Sequence, residues 1–291
     1  MKSMNEIRRN QRAVQETRQI TNAMYLLSTS RMKRAMSQIG YNQVYMRRIR
    51  AAVKDVLDKA QGAKHRYLDR TRSGRAAFVV MASDKGLCGA YNANVVHLAE
   101  KKCALYSNPY VTTVGICSTK MLQSRGIPVH HEWLGASQQP SIYYARQIGE
   151  NLVELYRDSV VDEVYVVYTH YYSQMKQEAV CVRLLPLSAE DFGDVSLEYN
   201  YRADIIYEPS IEAVFDTLVP QYVIGLVYGC LNQASASEHV TRMNAMQNAT
   251  HNADEMLRRL NFEYSMARQT AVTNEITEIA AAMEIIGTRS V

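Results

Sequence analysis

From the N-terminus to about Lys64 the chain has no proline and only two glycines, Gly40 and Gly62. Larger or apolar side chains recur there at helical spacing: Ile7, Val14, Thr17, Thr21, Met24, Leu27 and then Ala35. Most of the remainder is charged or amide. The pattern predicts one long helix, or two nearly continuous ones, over residues 1–64. At 1.5 Å per residue, about 60 residues span on the order of 90 Å, too long for the interior of a compact domain.

From Arg75 the period changes. Short β-rich runs appear in "AAFVVMAS", "YVTTVGIC", "IPVHHEW", "DEVYVVYTHY" and "AVCVRLLPL". Between them lie helical stretches at Asn92–Ser107, Thr119–Arg125 and Ile142–Arg157. Strands alternating with helices predict an α/β sheet with helices on its faces over residues 75–190. The linker "SAEDFGDVSLEYNYRADIIYEPS" follows, and from Pro209 the pattern is helical again to about Gly287, a residue suited to a helix C-cap. The fold class is therefore α/β: a Rossmann-like domain flanked by N- and C-terminal helices. Neither helix is apolar enough to stand alone, so the economical arrangement pairs them as a long antiparallel coiled coil.

On the C-terminal helix the expected seam runs through Leu231, Ala234, Thr241, Ala245, Asn248, Asn252, Met256 and Leu260, with Ala267, Thr270, Ala271 and Asn274 further on. Many of these are small or polar, as suits a slender shaft rather than a stability-optimised coil. The end of the helix is apolar at Ile279–Ala282 and Ile285–Ile286, which calls for a sleeve supplied by a partner. The segment Thr217–Ser237 has no charged residue, but Pro220, Gln221, Asn232, Gln233, Ser235 and Ser237 interrupt it. It reads as a buried helix end rather than a membrane span, which needs about 20 predominantly apolar residues.

Charge sharpens this division. The formal net charge is +4, yet residues 1–75 carry 18 Lys and Arg against 5 Asp and Glu, while the rest carry 15 against 24. A basic arm is attached to an acidic body. The basic residues Arg31, Lys33 and Arg34, with Arg47, Arg48 and Arg50, would suit nucleic acid. No aromatic platform or DNA-binding motif accompanies them. The five cysteines are dispersed and form no CxxC pair, so reduced thiols are expected. His130 and His131 are adjacent and on a strand would point to opposite faces, a poor metal pair. No metal site, cofactor site or Ser-His-Asp arrangement emerges.

The stretch "FVVMASDKGLCGAYNANV", Phe78 to Val95, reads as strand, glycine turn and helix start, the place where many proteins hold a phosphate. It is neither GxxxxGK[ST] nor GxGxxG. Gly86 and Gly89 are expected to permit a tight turn, with Asn92 as the helix N-cap. A nucleotide-dependent enzyme would use this turn; a nucleic-acid-binding coiled coil would use the basic arm.

Five segments carry a family resemblance: "ITNAMYLLSTSRMKRA", "SDKGLCGAYNANV", "LLPL" at 184–187, "YEPS" at 207–210, and "NATHNADEMLRRLNFEYSMARQTAVTNEITEI". Together, in order and spacing, they resemble the gamma subunit of the F-type ATP synthase, bacterial type, from about residue 4 to 287. The resemblance implies a non-catalytic rotor shaft that transmits torque between an ion-driven c-ring and a catalytic ring of three alpha and three beta subunits. Epsilon would be a further partner, and the place the cytoplasmic face of the plasma membrane. It implies that Arg268 and Gln269 contact a loop of one beta subunit, with Thr273 and Glu275 extending the contact. It implies that Arg31, Lys33 and Arg34 face acidic loops of the stator ring. Glu238 and Arg242, an i,i+4 pair worth a few tenths of a kcal/mol if exposed, match charged shaft positions. Tyr207 and Glu208 match the foot that meets the c-ring and epsilon, and the glycine turn would be structural. The sequence departs from the family at Asn22, Tyr25, Met266 and Asn274, where long or positive side chains are usual. It has no segment like the redox-regulatory insertion of chloroplast members.

Overall fold

The computed structural model describes residues 3–59, 65–68, 74–195 and 207–288, without the side chains at 189 and 282–288. The expected linker between 196 and 206, and the apolar tip at Ala282, Ile285 and Ile286, lie outside the described side chains. Helix α1 spans Met4–Lys59 and helix α5 spans Ile211–Thr288. Between them come β1 (Ala76–Met81), α2 (Tyr91–Cys103), β2 (Tyr110–Val114), α3 (Ile116–Ser124), β3 (His131–Trp133), α4 (Ile142–Arg157), β4 (Glu163–Tyr171) and β5 (Gln177–Leu185). The chain divides into two compact units, Ser28–Arg242 and Met1–Leu27 with Met243–Val291.

In the larger unit the sheet order is β3-β2-β1-β4-β5. The first four of these strands pair in parallel, and β5 returns antiparallel to β4 as an edge. Every residue of β1 is buried, because both sheet faces are covered. Alternation along β1 divides the core in two. Ala77, Val79 and Met81 face a cluster with Ile148 and Leu152 of α4, Val223, Val227 and Leu231 of α5, and Val53 and Val56 of α1. Ala76, Phe78 and Val80 face Val95, Val96 and Ala99 of α2 and Leu122 of α3. An 18-residue window of α5 is apolar enough by composition to cross a membrane, but half of it is buried inside the protein. The expected buried helix end is what the structure places there.

Helix α1 docks antiparallel on α5 by seating its side chains against two glycines of α5. A Cβ on Gly225 would lie 2.7 Å from the Tyr45 ring, and one on Gly229 would lie 2.6 Å from Asn42 Nδ2. Tyr228 OH donates to Gln38 Oε1 at 3.0 Å in the same interface.

The smaller unit pairs the start of α1 with the second half of α5, again antiparallel. Arg8 donates to Tyr264 OH at 2.6 Å and Gln11 to Asn261 Oδ1 at 2.9 Å; Arg18 pairs with Asp254, and the hydroxyls of Thr21 and Thr250 lie 2.8 Å apart. Along one track, Ile7, Gln11, Val14, Arg18 and Thr21 of α1 and Met246, Thr250, Ala253, Leu257, Leu260, Tyr264 and Ala267 of α5 are all buried or half-buried. Steps of three and four residues repeat, as in a left-handed coiled coil. Two expectations are corrected. Thr17 and Leu27 of α1 are exposed, and so are Asn248, Asn252, Met256, Thr270 and Asn274 of α5. The sequence-derived stripe drifted off the seven-residue repeat, because small and polar residues occur on both sides of the true seam and do not fix its phase.

Candidate functional site

Strands β2 and β3 lie on one side of β1, and the chain then crosses to the other side of β1 at β4. In open α/β sheets the crevice beyond the carboxyl ends of the strands, at such a reversal, is where ligands bind. Here the crevice belongs to α5. Gln233 Oε1 accepts from Tyr171 N at 3.0 Å, and Ser237 Oγ donates to Thr169 O at 3.0 Å, both at the end of β4. On the β1 side, Arg242 Nη2 donates to Lys85 O at 3.0 Å and Gly86 O at 3.3 Å, while Nη1 donates to Glu238 Oε1 at 2.7 Å. Tyr91 OH, at the start of α2, donates to Ala234 O at 3.1 Å. One face of α5, from 233 to 242, is thus seated along the strand ends where a nucleotide would lie.

The turn itself is built to receive that helix. Asn92 Oδ1 accepts from Ser83 N at 3.0 Å and from Ser83 Oγ at 2.8 Å, and Asn92 Nδ2 donates to Cys88 Sγ at 3.3 Å. Asn92 is therefore not the N-cap expected of it: α2 begins one residue earlier, with Ala90 in the cap position. The internal bonds of the turn outweigh its service as a cap. Gly89 has φ +56°, and a Cβ there would meet Thr241 Cγ2 at 3.3 Å. Gly86 has open space around it and no positive φ, so of the two expected turn glycines only Gly89 is required by geometry. Leu87, at φ 61°, is 64% exposed beside it. Gly115, after β2, has φ +91°, and a Cβ there would stand 2.2 Å from Ala82 O.

Electrostatics follow from the burial. Glu238 and Arg242 are 7% and 8% exposed, so the pair is not the surface contact the i,i+4 spacing alone suggests. Desolvation raises the Glu238 carboxyl above its ordinary range despite the attraction of Arg242. The neighbouring His239 is buried with Nδ1 lacking a partner among the described residues. Burial, then the charges of Arg242 and Arg31, push its pKa down to about 4. Burial also raises the Cys88 thiol and raises Tyr91 well above its usual value, so neither is a poised nucleophile. Among the described residues no group of His, Cys, Asp and Glu is placed to hold a metal ion.

The remaining expected residues are dispersed. Arg268, Gln269, Thr273 and Glu275 are exposed on α5; Thr273 Oγ1 only returns a hydrogen bond to Gln269 O at 2.9 Å. Arg31, Lys33 and Arg34 are exposed on α1. Arg50, grouped with them by sequence, is instead engaged by Asp194 at 2.6 and 3.0 Å and by Asp191 O at 2.7 Å. Tyr207 OH donates to Asp55 Oδ2 at 2.6 Å, and desolvation followed by that bond pushes its pKa up to about 12; Glu208 beside it is exposed. The seat residues Gln233, Ser237, Ser83 and Tyr91 escaped sequence reasoning, because polar side chains in apolar segments do not announce which backbone groups they will meet.

A family model described as ATP synthase matches residues 3–286. The gamma chain of Acetivibrio thermocellus ATP synthase is 34% identical over 98% of this chain and 100% of its own length. That of Ruminiclostridium cellulolyticum is 36% identical over 97% and 99%. The chain belongs to the ATP synthase gamma-chain family. It is accordingly a central-stalk gamma subunit of an F-type rotor, a non-catalytic part of a membrane-associated complex. Solved structures agree in fold. A Tetrahymena thermophila mitochondrial ATP synthase central stalk and c-ring chain gives a TM-score of 0.61 at 24% identity, over 79% of this chain and 99% of that one. A Euglena gracilis mitochondrial chain from an OSCP/F1/c-ring structure gives 0.67 at 15% identity, over 97% and 94%. This gamma chain fills the α/β crevice with its own helix, and the phosphate-loop question raised by Phe78–Val95 has that answer.

Proposed function

We propose that this gamma chain transmits torque between an ion-driven c-ring and a ring of three alpha and three beta subunits. It does so through three working parts: a shaft helix at 1–64, an α/β foot at 75–190 and a second shaft helix at 209–287. The observation that carries this is the outer part of α5. Phe262, Met266, Val272, Ile276 and Ile279 are 45–67% exposed, and Arg268, Gln269, Thr273 and Glu275 stand exposed among them. Contiguous exposed apolar surface on a helix calls for a partner, and the interspersed guanidinium and amide supply directional contacts to carboxylates and carbonyls. Arg268 and Gln269, extended by Thr273 and Glu275, touch one beta subunit at a time. Arg31, Lys33 and Arg34 face acidic stator loops, and Tyr207 and Glu208 lie toward the c-ring and epsilon. An asymmetric shaft offers three identical beta subunits three different surfaces, and so biases each toward a different conformation. The complex sits on the cytoplasmic face of the bacterial plasma membrane.

The test is a pull-down of the tagged chain from its native membranes with an ATPase assay of the eluate. Alpha and beta subunits with ATPase activity are expected, and both are lost when the chain is truncated after Arg268. Recovery of the chain without them overturns the proposal.

A further inference from the structure

We infer that Arg242 is a positioning residue of the rotor: seated in the strand-end crevice, it locks the α/β body to helix α5 so that twist carried by the helix is delivered to the body at this level. The inference rests on the torque function proposed above and adds to it the place where the body grips the helix.

The contacts on α5 fall at 233, 234, 237, 238, 241 and 242, a single stripe over three turns. Positions 233 and 237 meet the end of β4, 234 the start of α2, and 241 and 242 the turn after β1, while Glu238 holds Arg242. A helix lying on an apolar surface can roll, since dispersion and burial have no preferred direction. Hydrogen bonds to fixed carbonyls do have one. Arg242 is the strongest such restraint, because its rigid planar fork engages two main-chain carbonyls and one carboxylate at once. Its guanidinium is locked in turn by Glu238, four residues away on the same face, and both are almost wholly buried. Close packing of Gly89 against Thr241 blocks the roll sterically on the same stripe.

The experiment uses the complete ATP synthase reconstituted in vesicles, and compares ions pumped per ATP hydrolysed with amide exchange of residues 84–89. Arg242→Gln keeps some hydrogen-bonding capacity but loses the fork. It is expected to lower the pumping-to-hydrolysis ratio at least twofold and to speed exchange of the turn about tenfold. Arg242→Lys, which reaches one carbonyl at a time, falls between. Ser237→Ala removes one bond of the same seat and moves both readouts the same way by less, which keeps the test open if Arg242→Gln does not assemble. Arg75→Gln removes a bidentate pair to Asp162 of similar geometry, 3.0 and 3.1 Å, beside the amino end of β1 and outside the crevice. It leaves the ratio at the parent value. Faster exchange of the turn with an unchanged ratio makes the seat merely structural and overturns this inference alone. A parent complex that hydrolyses ATP and pumps nothing overturns the torque function, and this inference with it.

Discussion

At the scale of single residues, burial converts ordinary side chains into constraints whose sign can be worked out. Gly115→Ala places a Cβ 2.2 Å from a main-chain oxygen at φ +91°, so the backbone must move, at a cost of about 3 kcal/mol or more. Gly89→Ala faces only the methyl of Thr241 at φ +56° and costs about 1–2 kcal/mol. Gly86→Ala, in open space, stays within roughly 0.5 kcal/mol of the parent. Urea unfolding of the three variants orders them; a Gly86→Ala as damaging as Gly89→Ala contradicts the geometry. His239 gives a pH dependence. The unfolded chain takes up its proton near the ordinary value of 6.5, whereas the folded chain does so only near 4. Between those values the unfolded state binds more protons, so this imidazole lowers stability as pH falls from 6.5 to 4 and changes nothing further below. The loss amounts to about 2–3 kcal/mol. Replacing His239 by Leu flattens that part of the curve, measured as the difference in unfolding free energy between pH 7 and 4.5. A variant with the parent's slope assigns the acid loss to other groups, such as His65 and His170, which burial also lowers.

At the scale of elements, the coiled-coil register offers a sharp comparison. Leu260 is 5% exposed and Met256, one turn earlier, is 45% exposed. Leu260→Ala is expected to cost about 2–4 kcal/mol, and Met256→Ala within about 0.5 kcal/mol, read from the loss of helical circular dichroism on heating. Equal effects would return the seam to the phase first expected from sequence. That expectation marks where sequence legibility ends. The five strands and three intervening helices of the sheet were readable because their apolar runs are short, dense and bounded by glycine, proline or asparagine. The helix α1 was readable from its lack of breakers, but its seam was not. Ile7, Val14 and Thr21 hold one seven-residue track, yet Gln11 and Arg18 hold the other, and polar residues give no apolar signal. The site was half legible for a related reason. The spacing of Glu238 and Arg242 was visible, whereas their burial depends on the turn at Lys85 and Gly86 meeting them from more than 150 positions away along the chain. Sequence reasoning locates charges; only the tertiary contact says whether water reaches them.

At the scale of the whole molecule, α5 changes character along its length, and this bears on how the chain behaves before it has partners. From Tyr222 to Val240 no residue of α5 is exposed; from Asn261 to Ala281 none is buried, and only Glu263, Tyr264, Ala267 and Ala271 are half-buried. Most helical stability in water comes from tertiary packing rather than from propensity, so the two segments must open at different cost. In the isolated chain, amide exchange at 222–240 should follow unfolding of the α/β core. That at 261–281 should be faster by on the order of a hundredfold, a difference of about 3 kcal/mol in local opening. The contrast is a consequence of composition. A shaft lined with Leu and Ile would be stable alone but too thick at its seam, whereas Ala253, Ala267 and Ala271 keep it slender and leave its rigidity to be completed by what surrounds it. Incorporation into the complex should then slow exchange at 261–281 much more than at 222–240, where little surface is left to cover. Uniform protection along α5 in the isolated chain would mean that the outer shaft is rigid by itself. Slowing on assembly confined to the α/β body would mean that no sleeve closes around Arg268 and Gln269.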